Sequence, residues 1–123
     1  MIVTPEVVEA YAQITGDRNP LHFDEAFVAG TRFGVLIAQG GIVTGMLHAL
    51  VAMDLPGPGT VFLKQQWTFP NPARIGDTLN ATGTIKSWRP NRAMGVMTFE
   101  VTNNRGETVL QGESTVMQVT PTD

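Results

Sequence analysis

Asp17 and His22 stand five positions apart in "GDRNPLHFDE", residues 16 to 25, in a chain otherwise sparing with charge. A carboxylate and an imidazole that converge are suited to general acid–base work, because between them they can hold a water, take its proton and return it. Pro20 pushes Asn19 away from helical dihedrals and so stiffens the loop that carries the pair. Leu21 and Phe23 place an apolar surface beside it. The same stretch also reads as a plain connection between helices: Asp, Asn, Gly and Pro are turn formers, and Asp24 and Glu25 suit the first turn of a helix. A second place with chemical potential is Gly40-Gly41, at the head of the apolar run "GGIVTGMLHALVAM". The first N–H groups of a helix have no internal acceptor, and the macrodipole favours negative charge there. Glycine allows a carbonyl oxygen to come close, as an oxyanion hole requires. Two glycines equally permit close packing of the helix on a sheet, so GG alone decides nothing.

Several classes are excluded by composition. The 123 residues contain no cysteine, which removes disulfides, thiolate metal sites and a cysteine nucleophile. A net charge of −3 argues against nucleic acid or an anionic membrane as partner. The N-terminus "MIVTPEVVEA" has neither the basic nor the apolar part of a signal peptide, and the apolar run is too short for a bilayer. A soluble cytoplasmic protein with one domain over 1–123 is expected.

The positioning elements follow from patterning. Thr4 can cap a first helix with Pro5 in its opening turn, and Val7, Tyr11 and Ile14 give an apolar stripe that Gly16 ends. Asp24 can cap a short helix through Val28 that Gly30 stops. From Ile42 to Met53 apolar residues occupy every face, which predicts a long helix buried all round, with His48 a satisfied core histidine. Four strands follow. In the first, Val61, Leu63, Trp67 and Phe69 alternate with polar residues; in the second, Leu79, Ala81 and Ile85 share a face. "AMGVMTFEVTN" and "ETVLQGESTVMQV" complete the set across the short links "RPNR" and "NNRG", and short links mean antiparallel neighbours. The fold class is α+β, an antiparallel sheet wrapped around a long buried central helix.

"YAQITGDRNPLHFDEAFVAGTRFGVLIAQGG" resembles the signature of the MaoC-like (R)-specific enoyl-CoA hydratases, which have the hot-dog fold. That pattern runs Gly-Asp-x-Asn-Pro-aliphatic-His-x-Asp and then, about fifteen residues on, Ile-Ala-His-Gly. "FLKQQWTFPNPARIGDTL" is similar to the family's strand, proline-bearing bend and Gly-Asp turn, so the likeness covers nearly the whole chain. The resemblance implies that Asp17 and His22 are catalytic and that the Gly40 N–H binds the thioester oxygen. Asn19, Gln39 and Gly41 would lie on the substrate side, with Asn19 shaping the loop. Two departures stand out. Gln39 occupies the family's usual histidine position, and the strand that usually precedes the first helix is reduced to Met1–Val3.

What the resemblance implies for chemistry is hydration of a trans-2-enoyl-CoA to the (R)-3-hydroxyacyl-CoA, reversibly, with no metal and no redox cofactor. It also implies a homodimer or dimer of dimers with acyl pockets at the subunit interface. Three alternatives stay open: a 3-hydroxyacyl-carrier-protein dehydratase, a hot-dog acyl thioesterase, and a non-catalytic acyl-thioester-binding subunit. Asp17 and His22, being in a loop, are not expected to hold the core. "KSWRPNR" is either a solvated basic turn or a contact for CoA phosphates or an acidic carrier protein.

Overall fold

The computed structural model describes residues 1–121. Its elements run α1 (Pro5–Thr15), α2 (Pro20–Phe23), α3 (Glu25–Ala29), α4 (Gly40–Met53), then β1 (Thr60–Thr68), β2 (Asn80–Arg89), β3 (Met94–Thr102) and β4 (Thr108–Gln118). All pairings are antiparallel, in the order β1-β4-β3-β2. This is the hot-dog arrangement of one helix against a curved sheet.

α1 begins as its sequence dictates. Thr4 is extended and its side-chain oxygen accepts from the Val7 N–H, while Gly16 closes the helix at φ 81°, a left-handed conformation that glycine adopts without strain. The buried face is one step away from the expected stripe: Val8 and Ala12 are buried, Val7 and Tyr11 pack beside them, and Ile14 points to solvent.

In α4, Ile42, Val43, Leu47 and Val51 face the sheet. The completely buried Leu47 contributes on the order of 2–3 kcal/mol by leaving water. The expectation of a helix buried all round does not hold in the single chain, because Gly45, His48, Ala49 and Met53 lie on an open face. His48 is therefore not a core residue. Its Nε2 lies 3.0 Å from the Gln65 Nε2, which donates to it, and its ring stands edge-on to Phe62.

Two bulges revise the face assignment of the strands. The register of β1 against β4 shifts between Phe62 and Lys64, so Phe62 and Trp67 both turn inward although they are five positions apart. Val61 and Leu63 are left outside, each 49% exposed. In β2 the shift lies between Ile85 and Ser87; Leu79, Ala81 and Ile85 share the inward face, Ile85 opposite the buried Met97 but itself 38% exposed, and past the bulge Trp88 takes the inward position. Phe62, Trp67 and Phe99 then form an aromatic cluster with ring centroids 5.5–5.9 Å apart.

Met1–Val3 makes real edge contacts. Val3 N donates to Asp77 O, Gly76 N to Val3 O and Leu79 N to Met1 O, with Ile2 bridged antiparallel to Thr78. A second short ladder matters more for the site. After the bend Phe69-Pro70-Asn71-Pro72, the chain returns beside residues 36–38: Ala38 N donates to Ala73 O at 2.7 Å, Ile75 N to Leu36 O at 3.3 Å, and Ile37 bridges Arg74. This ladder fixes the segment that leads into α4.

Candidate active site

The loop after α1 is held by its own short polar side chains. Asp17 Oδ1 accepts from Asn19 N at 3.2 Å, Asn19 Oδ1 accepts from Leu21 N at 3.1 Å, and Asp24 Oδ1 accepts from Phe27 N at 3.0 Å. Each is a local cap or turn bond that relieves a helix-end N–H. Arg18 ties the loop back to α1 through two bonds to Glu9, both 2.9 Å. Its hydrogen bonds, with help from Gln13, bring the Glu9 carboxyl down to about 2. Asn19 thus shapes the loop, and its carboxamide oxygen is spent on the cap of α2.

His22 sits on α2 with its ring buried, which corrects the expectation that it holds none of the core. Its Nδ1 lies 2.7 Å from Ile37 O, and Ile37 N donates to Leu21 O at 3.1 Å. The carbonyl can only accept, so Nδ1 carries the proton in the neutral ring and Nε2 presents a lone pair. That lone pair is 3.7 Å from Asp17 Oδ1. A carboxylate and an unprotonated ring nitrogen are both acceptors, and the gap is too long for a direct hydrogen bond. One water, about 2.8 Å from each, would donate to both. The Asp17 side chain is 41% exposed and the His22 side chain 8%, so solvent reaches the pair from the aspartate side.

The two glycines separate cleanly. Gly41 has no room for a side chain: a Cβ there would lie 1.7 Å from the Tyr11 hydroxyl. Close packing explains it, between helices rather than against the sheet. Gly40 is different. A Cβ would meet only the Phe69 ring at an ordinary 3.6 Å, the residue is exposed, and its N–H has no acceptor among the described residues. Gly40 borders a slot of about 210 Å³ with Phe33, Ile37, Val43, Phe69 and Val109 among its walls. His22 instead borders a larger cleft of about 880 Å³, shared with Val8, Val28, Leu36 and Arg74.

Gln39, the residue before Gly40, does not reach out to a substrate. It is 1% exposed, and its Nε2 donates to Val8 O at 3.1 Å and to Asp17 O at 3.4 Å. Asp17, His22 and Gln39 are therefore brought together, with Gly40 adjoining through the chain. The roles of the Tyr11 hydroxyl and the Ile37 carbonyl were not read from the sequence. A backbone acceptor carries no residue-type signal, and Tyr11 reads only as one member of an apolar stripe. Lys86, Arg89 and Arg92 line neither cavity, and Lys86 pairs with Glu113. Among the described residues no three His, Asp or Glu side chains gather as metal ligands, and no helix is long and apolar enough to cross a membrane.

Residues 1–107 match the family of MaoC-like domains. The chain belongs to that family. It is 38% identical over 109 residues to a 3-hydroxybutyryl-CoA dehydratase of Methylorubrum extorquens, covering 89% of this chain and 69% of that protein. It is 37% identical to an (R)-specific enoyl-CoA hydratase of Rhodospirillum rubrum, with 87% and 74% covered. Among solved structures, the (R)-hydratase of Aeromonas caviae involved in PHA biosynthesis superposes with a TM-score of 0.90 at 28% identity, over 97% of this MaoC-like chain and 90% of that one.

Proposed function

We propose that this MaoC-like protein is an (R)-specific enoyl-CoA hydratase, adding water to a trans-2-enoyl-CoA to give the (R)-3-hydroxyacyl-CoA, and reversing the step. The observation that carries the reading is the 3.7 Å gap between Asp17 Oδ1 and His22 Nε2, two acceptors that a single water would bridge. Held there, the water attacks Cβ of the enoyl group as the pair takes its proton, and electron density moves through Cα to the thioester oxygen. The free N–H of Gly40 at the head of α4 donates to that oxygen as charge develops on it, a stabilisation of about 3–4 kcal/mol per donor. The proton then returns from the pair to Cα on the face from which water arrived. All atoms of the water end in the product, so the site needs no leaving group. Relatives that act as hydratase and as dehydratase on CoA thioesters support the reaction class and the CoA handle.

The test uses purified protein with crotonyl-CoA and longer enoyl-CoAs. Loss of the enone absorbance without release of free thiol is expected, with chiral analysis returning the (R)-alcohol. Thiol release would make the protein a thioesterase instead, and activity confined to enoyl-carrier-protein substrates would move it to the dehydratases of carrier-bound acyl chains.

A further inference from the structure

Gln39 is a buried polar side chain whose hydrogen bonds make sense only in terms of the loop it touches. Both groups it faces through Nε2, Val8 O and Asp17 O, are carbonyls, so the amide nitrogen must point at them and the orientation of the carboxamide is settled. Its Oε1 then faces the other way, where it is buried and has no partner. A buried acceptor left without a donor costs on the order of 1–3 kcal/mol. Nor does the side chain cap α4, although Gln39 holds the N-cap position. An apolar residue of similar shape would avoid the orphaned oxygen, and Val8 O lies inside α1, where the helix already supplies it with a donor. Stability alone is thus a poor reason for a glutamine here.

What the carboxamide does accomplish is a link between the two halves of the site. Its backbone passes directly into Gly40, while its side chain grips the main-chain carbonyl of Asp17 and the body of α1. We infer that Gln39 is a positioning residue: it sets the distance between the Asp17 carboxylate and the Gly40 N–H, and so aligns the water with the oxyanion donor, without touching substrate. This rests on the hydratase reading above. Loss of such alignment acts on the reacting geometry more than on binding, and small misplacements of that kind are worth one to two orders of magnitude in rate.

The experiment compares Gln39→Met, Gln39→Leu and Gln39→His with the wild type by steady-state hydration of crotonyl-CoA and by thermal unfolding. Both apolar variants should lose about tenfold or more in kcat with KM within about twofold, while Tm stays level or rises because the orphaned oxygen is gone. Gln39→His keeps a ring N–H that can reach one of the two carbonyls and should retain kcat within about threefold. Two results overturn the inference while leaving the hydratase reading intact: an apolar variant with wild-type kcat, or apolar variants that fall in Tm or fail to fold, which would make Gln39 a structural strut. A wild type inert towards every enoyl thioester would instead remove the parent reading, and this one with it.

Discussion

Asp17 and His22 are positioned by different means, and the difference decides how each responds to substitution. The imidazole is buried and its tautomer is set by Ile37 O, whereas the carboxylate is partly in solvent and held by a turn bond from Asn19 N. Asp17→Asn and His22→Ala should each lower hydration of a good enoyl-CoA by a factor of about 10² or more. The double variant should lose little beyond the worse single one, because groups that manage one water are not additive. Stability should separate them: Asn can keep the turn bond and stay near the wild type, while removing the buried ring should cost about 1–2 kcal/mol in urea unfolding. Hydration within about threefold of wild type for either variant would return the loop to a plain helix connection. At this scale the approach of Asp17 to His22 was legible, because the spacing Asp-x-Asn-Pro-x-His puts a carboxylate and an imidazole into one short, stiffened stretch. The Ile37 carbonyl was not, since every residue has one. Nor was the inward turn of Gln39, which the family resemblance placed on the substrate side.

At the scale of elements, the turns that frame the site depend on one buried ion pair. Asp77, in the Gly-Asp turn before β2, accepts from the Arg74 N–H at 2.9 Å and from the Arg105 guanidinium at 2.6 and 3.0 Å, so the turns before β2 and before β4 are pinned together. Burial pushes the Asp77 carboxyl up, but the Arg105 guanidinium and the Arg74 N–H outweigh it and hold the group below the usual carboxylate value. A depressed carboxylate contributes stability above its unfolded pKa of about 3.9, and that contribution is lost as pH falls through the lower folded value. Arg105→Met should therefore destabilise the protein at pH 7, less than the loss of a fully enclosed pair because the arginine is a third exposed, and the gap to wild type should narrow towards pH 3. Adding Asp77→Asn should recover part of the loss by removing the stranded charge, with urea titrations at the two pH values as the check. The strands themselves were legible from their alternation, but the bulges were not. A bulge changes which residues pair without leaving a mark on composition, so Val61 and Leu63 read as sharing the face of Trp67 and lie on the opposite one.

For the whole molecule, the open face of α4 and the outer edge of the sheet pose the same question. Met53 is 71% exposed, Val61 and Leu63 lie outside on β1, and β1 has a hydrogen-bonded neighbour on one side only. An unpaired edge with apolar side chains invites association. The apolar sequence of α4 read as a helix buried all round because it reports the total demand for cover, and a second copy of the chain would meet the part the sheet does not. The protein is therefore expected to be a homodimer or an assembly of dimers, seen as such by sedimentation at assay concentration. Leu63→Glu with Met53→Glu should shift it towards monomer. A monodisperse, fully active monomer would count against this.

The ladder between residues 36–38 and 73–75 has a further effect, visible in the exchange of amide protons with heavy water. Ala38 N–H is buried in a 2.7 Å bond to Ala73 O, so its proton should leave only when the domain opens broadly. The Asp17 and Asn19 amides are tied to short side chains at the surface and should exchange through local opening alone. Because His22 is fastened to Ile37, and Gly40 follows directly from the ladder, imidazole and oxyanion donor share the slow half of the site while the carboxylate belongs to the fast half.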